Sequence, residues 1–317
     1  MSAIISLSEI KKVLAEIDLL AAMERAFLNY SSGNAVVPPV GELVFENPPG
    51  DVHIKYGYVR GDDYYVVKIA SGFYHNAQLD LPSSNGLMLL FSQRSGELRA
   101  ILLDQGFLTD MRTAAAGAVA ARYLAPATIQ RIGIIGTGIQ AEWQLRLLPG
   151  IVDCPRVLVC GRHHQGLQDY CQRLADTGYE IEITDNPTEV ADCCQLIVTT
   201  TPSCEALLRY ARPGTHITAV GADTAEKQEL DSAILAGADK IVVDSRAQAQ
   251  SRGEAYRALQ AGAIALEQMI ELGEIIAGEQ SGRDNDEQIT VADLTGVATQ
   301  DIEIATAVYE SLLQNAD

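Results

Sequence analysis

The sequence predicts an α/β fold in which a Rossmann-type, doubly wound parallel-sheet domain follows a mixed α+β domain. The length of 317 residues favours two domains, at about 150 residues each. Short apolar, β-rich runs fill residues 52–103, whereas apolar strands alternate with helical stretches after residue 132. This change in the pattern of predicted elements places the domain boundary between these two regions.

The first half of the chain predicts helices followed by short strands. Residues 1–30 repeat apolar side chains at helical spacing, with Ser8 as a candidate N-cap. After a proline-rich break, strands are expected at 52–59, 64–69, 87–91 and 98–103. An alanine-rich helix is expected over 113–124 because Pro126 ends the helical pattern.

The second half predicts a parallel sheet. Its apolar strands are expected at 132–135, 157–160, 181–184, 196–199, 217–220 and 241–243, with helical segments between them. We therefore expect a first domain over 1–115, a Rossmann domain over 116–294, and a C-terminal segment, 295–317, that folds back onto the first domain.

Composition limits the classes of partner. Lys and Arg total 23 and Asp and Glu total 42, a net charge of −19 that disfavours nucleic-acid and membrane partners. The sequence has no apolar run near the roughly 20 residues of a membrane helix and no evident secretion signal, so we expect a cytoplasmic protein. The six cysteines lack metal-binding spacing. They are expected to be reduced and mostly buried, and no metal site is predicted.

A glycine-rich turn carries the most specific single motif. The predicted strand at 132–135 leads into Gly136-Thr-Gly138-Ile-Gln-Ala141, a Gly-x-Gly-x-x-Ala turn before a helix. Gly136 permits the tight turn, Gly138 lets a pyrophosphate approach the backbone, and Ala141 allows close packing of helix and strand. The motif, placed between a predicted strand and a predicted helix, predicts a dinucleotide-binding site.

The next predicted strand ends in Cys160-Gly161-Arg162-His163-His164. An NAD site usually has an acidic residue near this point, whereas an arginine accommodates the 2′-phosphate of NADP. Arg162 therefore mildly favours NADP, and the alternative is a solvated arginine at a loop tip.

Two further segments are difficult to explain by packing alone. Arg112 stands at the start of the predicted helix, where the helix dipole disfavours a cation, so an anionic ligand is a more natural reason for it. Asp223 follows a predicted buried strand, at the sheet edge where doubly wound folds bind ligands. It is either a helix cap or a proton donor.

Five segments together resemble the ornithine cyclodeaminase/mu-crystallin family, over about Lys55 to Gln300. They lie at 67–69, 108–115, 134–141, 221–230 and 293–301. The resemblance implies a homodimer whose first domain binds substrate and dimerises, and whose Rossmann domain binds NAD(P). It also implies a small-molecule substrate, an amino acid or its imine, whose α-carbon exchanges a hydride with the cofactor.

The resemblance assigns roles residue by residue. Lys68 would bind and polarise the substrate carboxylate, Arg112 would lie beside that carboxylate and the cofactor, and Asp223 would be the acid–base group at the imine nitrogen. Thr295 and Gly296 would close the nicotinamide pocket. The other matching cofactor positions are Ser83, Thr113, Gly138, Ile139, Gln140, Thr200, Val220, Gly221 and Lys227.

One segment departs from the family pattern. Many members carry an arginine after a Pro-x pair to hold the substrate carboxylate, but this chain has Gly41 and Glu42 after Pro39-Val40. His53 and Lys55 lie two residues apart on a predicted strand, which places them on one face. Our hypothesis is that they supply the missing charge and favour an imino acid with a second anionic or polar end, such as iminosuccinate. The alternative is two ordinary surface residues.

Three functions fit these residues. The main prediction is an NAD(P)H-dependent reductase of a small 2-imino acid or cyclic ketimine. The second is an ornithine (or related) cyclodeaminase that releases ammonia and recycles its NAD internally. The third is a non-catalytic, NADP-dependent ligand-binding protein of the mu-crystallin type. The absent arginine and Arg162 disfavour the second, and the set of Lys68, Arg112 and Asp223 disfavours the third.

Overall fold

A computed structural model describes residues 2–73 and 75–315 of the chain. Its strands are β1 Ala3–Ser6, β2 Ala35–Val36, β3 Gly41–Glu46, β4 Pro49–Val59, β5 Tyr64–Gly72, β6 Ser84–Ser92, β7 Leu98–Leu103, β8 Ile132–Ile135, β9 Arg156–Cys160, β10 Glu180–Thr184, β11 Leu196–Thr199, β12 His216–Ala219, β13 Lys240–Val243, β14 Met269–Glu271 and β15 Thr290–Asp293. Its α-helices are α1 Leu7–Leu14, α2 Leu19–Ser31, α3 Phe107–Leu124, α4 Ile139–Arg146, α5 His164–Arg173, α6 Pro187–Cys193, α7 Ser232–Ala236, α8 Gly253–Gln260, α9 Leu272–Ile276 and α10 Ala298–Gln314.

The chain divides into two compact units. Unit 1 comprises Met1–Arg112 with Val297–Asp317, and unit 2 comprises Thr113–Gly296. The division falls inside α3, between Arg112 and Thr113. The sequence-based boundary lay between residues 115 and 116, inside the same helix.

Unit 1 is built on a mixed sheet of order β1-β7-β6-β5-β4-β2, with β3 also paired to β4. The β1–β7 pair is parallel and the other pairs are antiparallel. Helix α10 packs against α2, β4 and β5. Because Phe27, Met88 and Leu102 are almost fully buried, apolar side chains of both helix and strands form the core of this unit.

The beginning of the chain differs from the prediction. Residues 3–6 form a strand before the first helix. That helix is capped by Ser6 rather than by Ser8, since the Ser6 backbone N–H donates to Glu9 Oε2 at 2.8 Å and the Glu9 N–H donates back to Ser6 Oγ. This reciprocal capping box fixes the start of α1.

The alanine-rich helix also begins earlier than predicted. Asp104 Oδ2 accepts a hydrogen bond from the Leu108 N–H at 2.9 Å, and the helix runs from Phe107. Arg112 therefore lies in the second turn, and the prediction that it stands at the start of the helix is wrong. The helix dipole consequently gives no reason for an anion at Arg112, and any such reason has to come from its neighbours.

Unit 2 is a parallel sheet of order β10-β9-β8-β11-β12-β15-β13-β14. Each of the six predicted strands is present within one residue of its predicted bounds. Strands β14 and β15 were not predicted, and β15 lies centrally, between β12 and β13. The chain order reverses between β8 and β11, which is the switch point where doubly wound sheets bind ligands.

The cysteines are less buried than expected. All six are free thiols. Cys154, Cys160 and Cys194 are buried, whereas Cys193 and Cys204 are exposed and Cys171 is intermediate. Across residues 2–73 and 75–315, every helix is too short or too polar to cross a membrane.

Candidate active site

Unit 2 contains a cavity of about 720 Å³ at the carboxyl ends of β8, β9 and β11. It lies at the switch point of the sheet. Its walls are three segments, 135–138, 160–163 and 200–207, together with Gly166, Asp185 and Pro187. Of the predicted cofactor residues, Gly136, Gly138, Arg162 and Thr200 line this cavity.

The glycine turn at the mouth of α4 fits a dinucleotide. Gly136 has φ +122°, and a Cβ there would lie 2.5 Å from Thr200 Oγ1, so a side chain is excluded. Gly138 is the N-cap of α4, and a Cβ built on it has no neighbour within 4 Å. The space beside Gly138 is therefore open, so that a pyrophosphate can approach the backbone at the start of α4.

The rim beyond β9 carries charges of both signs. Arg162 and His163 are exposed and line the cavity together with Asp185, which follows β10. Arg162 offers a cation for a 2′-phosphate, while Asp185 offers a hydroxyl acceptor.

The remaining predicted cofactor residues are distributed more widely. Val220 and Gly221 follow β12, Ile139 and Gln140 begin α4, and Thr295-Gly296 follows β15. The Thr113 carbonyl accepts a hydrogen bond from Gln144 Nε2. Ser83 belongs to unit 1, where its carbonyl accepts from the Phe73 N–H.

The Thr295-Gly296 turn is held by side chains from an adjacent segment. Asp244 accepts from Thr295 Oγ1 at 3.1 Å and from the Gly296 N–H at 2.5 Å. Gln248 Nε2 donates to Thr295 Oγ1 and to the Gly296 carbonyl. Gly296 has φ +82°, a conformation that favours glycine.

Asp223 lies on the loop after β12. Lys227 Nζ donates to Asp223 Oδ1 at 2.6 Å, and 36% of the Asp223 side chain is exposed. Within the described part of the chain no helix begins at Asp223; the next α-helix starts at Ser232 and is capped by Asp231. The helix-cap alternative is therefore wrong, and the carboxylate is accessible.

Unit 1 contains a buried cluster of cationic side chains. Asp301 Oδ1, in the first turn of α10, accepts from Lys68 Nζ at 3.0 Å and from Arg112 Nε at 3.1 Å. Gln300 Oε1 accepts from Arg112 Nη1 at 3.1 Å. Lys55 stands directly opposite Lys68 in the β4–β5 register, so the two ammonium groups share one face of the sheet. Lys55, Lys68 and Arg112 are all buried.

Burial and mutual repulsion alter the protonation of this cluster. Burial first, and the Arg112 charge second, lower the pKa of Lys68 to about 7, while Asp301 acts in the opposite direction. Burial alone would raise the pKa of Asp301, but Lys68, Arg112 and Lys55 hold it below its ordinary value. Burial raises the pKa of the nearby Asp104 carboxyl, which feels the Lys68 charge. The three cations outnumber these two carboxyl groups.

Several buried polar atoms around these cations lack hydrogen-bond partners within the described chain. They are Gln300 Nε2, Asp301 Oδ2 and Asp104 Oδ1. An unpaired buried polar atom costs about 1–3 kcal/mol. A cluster of such atoms beside an excess of positive charge fits an anionic ligand that also offers hydrogen-bonding groups.

The two proposed substitutes for the absent arginine differ in their surroundings. His53 lies opposite Glu42 in the β3–β4 register, with His53 Nε2 3.4 Å from Glu42 Oε1. The Glu42 carboxylate thus offsets charge on His53. Lys55, in contrast, lies beside Lys68 and Asp301, on both of which its charge acts.

Sequence reasoning missed Gln300 and Asp301 as parts of the site. Both lie in segment 293–301, one of the five that resemble the family, where polar side chains precede an apolar run. That pattern also fits an ordinary exposed first turn, and only burial at 1% exposure distinguishes the two cases. Among the described residues no group of His, Cys, Asp and Glu side chains is arranged to hold a metal ion.

The sheet order and the glycine-lined cavity at its switch point define a dinucleotide-binding α/β protein. The chain belongs to the ornithine cyclodeaminase/mu-crystallin family, whose model matches residues 2–316.

Relatives of the chain carry both reductase and cyclodeaminase names. An uncharacterized cyclodeaminase of Sinorhizobium fredii is 37% identical over 97% of this chain and 95% of its own. An archaeal alanine dehydrogenase, solved as a dimer with bound NAD, matches with TM-score 0.90 and 34% identity, covering 100% of this chain and 97% of its own. The Δ1-pyrroline-2-carboxylate reductase of Thermococcus litoralis, solved with NADH and L-proline, matches with TM-score 0.93 and 29% identity over 99% and 98% of the two chains.

Proposed function

We propose that this protein is an NAD(P)H-dependent reductase that converts a small 2-imino acid or cyclic ketimine to the amino acid, and that also runs in reverse. The observation that carries the proposal is the buried cluster of Lys55, Lys68 and Arg112 around Asp301, with unpaired polar atoms beside it. The relatives solved with NAD, and with NADH and L-proline, support the same chemistry.

The cluster is suited to the substrate carboxylate. Arg112 is fixed by Asp301 and Gln300, and Lys68 is fixed by Asp301, so both donors are oriented before substrate arrives. A carboxylate bound here would receive charge-assisted hydrogen bonds from buried donors. The Gln300 amide adds a neutral donor through its free Nε2 atom.

Lys55 adds positive charge in excess of what one substrate carboxylate neutralises. It lies across the β4–β5 pair from Lys68 and is buried. We infer that it faces the second end of the substrate, which favours an anionic or polar end, as in iminosuccinate, over the cationic tail of ornithine. His53, paired with Glu42, contributes less.

Asp223 is the proposed acid–base group. Its accessible carboxyl group would pass a proton to the imine nitrogen in reduction and take one back in the reverse direction. Lys227 fixes the orientation of Asp223 through the 2.6 Å hydrogen bond. The nicotinamide cofactor supplies the hydride, and the protein supplies placement and electrostatics.

Asp223→Asn tests this role directly. We expect turnover to fall by about 100-fold or more, because the amide cannot exchange the proton, while cofactor affinity stays within a few-fold. Steady-state kinetics and a fluorescence titration with NADPH measure the two quantities. Retained turnover would show that another group moves the proton.

We propose a mild preference for NADP. Arg162 and His163 on the cavity rim would hold a 2′-phosphate, whereas Asp185 on the same rim favours the 2′-hydroxyl of NAD. Arg162→Ala is expected to weaken NADPH binding about tenfold and to leave NADH binding nearly unchanged. Asp185→Asn is the matched change on the acidic side of the rim. Equal effects of Arg162→Ala on both cofactors would overturn the preference.

We also propose a homodimer, as in the archaeal alanine dehydrogenase, with unit 1 as its substrate-binding and dimerising part. Light scattering on the purified protein measures the assembly. A monomer at working concentration would contradict it.

The decisive experiment follows NADPH and NADH oxidation by the purified protein. Ammonia is supplied with a panel of 2-oxo acids, including a dicarboxylic member, and cyclic ketimines are tested separately. Steady oxidation establishes the reductase, and the fastest substrate shows whether a second carboxylate is preferred. Ammonia released from ornithine without net oxidation would instead establish a cyclodeaminase. Binding of NADPH without turnover of any substrate would leave a ligand-binding protein.

A further inference from the structure

Glu229 is a fully buried carboxylate between two strand ends of unit 2. Its Oε1 atom accepts a hydrogen bond from the Thr201 N–H at 2.5 Å. Its Oε2 atom accepts from the Gly221 N–H at 2.9 Å and from Thr199 Oγ1 at 2.8 Å. One side chain therefore satisfies three donors from two segments.

The two segments that Glu229 joins have separate tasks in the proposed function. Thr201 follows β11 and belongs to the wall of the cofactor cavity. Gly221 follows β12 and stands two residues before Asp223, the proposed acid–base residue. Each oxygen of the carboxylate holds the backbone of one loop.

The loops approach each other closely around this carboxylate. A Cβ on Gly221 would lie 2.5 Å from Glu229 Oε2 and would also collide with the Thr201 backbone. The spacing between the loops thus depends on a glycine at 221 and on the carboxylate beside it.

Glu229 is itself fixed before any ligand binds. Its backbone N–H donates to Glu254 Oε1 at 2.6 Å, and its carbonyl accepts from the Leu207 and Leu208 N–H groups. The Leu230 N–H donates to Glu254 Oε2. The main chain on both sides of the Glu229 side chain is therefore held in place.

We propose that Glu229 is a positioning residue that sets the spacing between the cofactor-cavity loop at Thr201 and the acid–base loop at Gly221–Asp223. It acts through their backbone N–H groups and touches neither substrate nor cofactor. The inference rests on the proposed function, because it assigns the two loops the tasks given above.

Glu229→Gln tests the proposal. The carboxamide keeps the volume but places an NH2 group against the N–H of one loop, so that loop loses its acceptor. We expect the Kd for NADPH to rise about tenfold, and kcat at saturating cofactor to fall about tenfold, because a buried donor is left unpaired. If Glu229 served only to stabilise the fold, the variant would contain less folded protein and less total activity. The Kd of the protein that is folded would then equal that of wild type.

Glu271→Gln is the matched control. Glu271 is also a buried glutamate of unit 2 that accepts from a backbone N–H, but that N–H belongs to Arg246, outside the two loops and the main chain beside Glu229. Its Kd and kcat should stay within about twofold of wild type, since both loop bonds and the main-chain bonds of Glu229 remain. Should Glu229→Gln fail to fold, Glu229→Asp keeps the charge but shortens the side chain by one methylene, so that the carboxylate no longer reaches both loop N–H groups, and it should raise the Kd several-fold.

The outcomes separate this inference from the proposed function. A raised Kd and lowered kcat in Glu229→Gln alone support the positioning role. Wild-type values in Glu229→Gln, or equal losses in both glutamine variants, overturn it while the proposed function stands. A wild-type protein that binds neither NADPH nor NADH overturns both.

Discussion

At the scale of single residues, Asp301 is the carboxylate that compensates the charge of the buried cationic cluster of unit 1. It is the carboxylate that both Lys68 and Arg112 contact, through one oxygen atom. Breaking a buried ion pair by removing one partner is costly because the other charge is left uncompensated. Asp301 thus keeps two cations together that would otherwise repel each other in a buried site.

The charge of Lys68 should make substrate binding dependent on pH. With a pKa near 7, Lys68 is charged below that value and loses its charge as the pH rises through it. Affinity for a carboxylate substrate is therefore expected to fall as the pH rises from about 6 to about 9. In Asp301→Asn the pKa of Lys68 should be lower still, because Asp301 favours the charged form. The fall should then begin at lower pH, and KM at neutral pH should rise about tenfold.

The KM of the imino acid measured against pH checks this expectation. Glu303→Gln is a suitable control, since it removes a carboxyl group from the same helix, α10, where Glu303 pairs with Arg25 rather than with Lys68. An unchanged profile in Asp301→Asn would contradict the role given to Lys68.

At the scale of secondary-structure elements, the turn between β8 and α4 contains two glycines with different roles, one in folding and one in ligand binding. Gly136 has a positive φ and is closely packed against Thr200, whereas Gly138 has φ −80° and free space at its Cβ position. The first glycine is needed for the turn itself, and the second is needed only if a ligand approaches the backbone.

We expect Gly136→Ala and Gly138→Ala to have different effects. Gly136→Ala should lower both the melting temperature and the affinity for NADPH, because the side chain is strained and collides with Thr200. Gly138→Ala should leave the melting temperature unchanged and raise the Kd for NADPH about tenfold or more by blocking the pyrophosphate. Thermal unfolding and cofactor titration of both variants give the comparison. Unimpaired NADPH binding in Gly138→Ala would place the pyrophosphate elsewhere.

At the scale of the whole molecule, the excess of negative charge reaches into the interior of unit 2. Glu229, Glu254, Asp293 and Asp244 are all buried there. Burial, with Asp293 as the next cause, raises the pKa of Glu254 to about 9. Burial also raises the pKa values of Glu229 and Asp293 to about 7. These acids bind protons more tightly in the folded than in the unfolded protein.

Stability should therefore decrease as the pH rises. The contribution of Glu254 is complete below its ordinary pKa of 4.5 and is lost as the pH approaches 9. Glu254→Gln mimics the protonated acid, so its melting temperature should fall less between about pH 6 and about pH 9 than that of wild type. The melting temperatures are measured at high salt, which screens the repulsion between surface charges.

Glu279→Gln controls for the change in net charge, because Glu279 is exposed. It should reproduce the wild-type slope. If Glu254→Gln also had that slope, Glu254 would be ionised in the folded protein throughout this range.

The sequence by itself determined the features that depend on local signals. Strand–helix alternation and the Gly136-x-Gly138 turn predicted the parallel sheet and its cofactor turn, since strand formation and a tight turn follow from a few neighbouring residues. Family resemblance named Lys68, Arg112 and Asp223, whose roles stay predictions. The same local signals failed at the start of α3, where the capping Asp104 precedes the predicted bound.

Only the tertiary structure decided which charges meet. Asp301 contacts Lys68 across 233 residues of sequence, and Lys55 joins them through the register of two strands. Glu229 reaches Thr201 and Gly221 because β11 and β12 are neighbouring parallel strands that end at one edge of the sheet. Charge balance and hydrogen-bond satisfaction in a buried site are sums over neighbours in space, and spacing along the chain does not specify those neighbours.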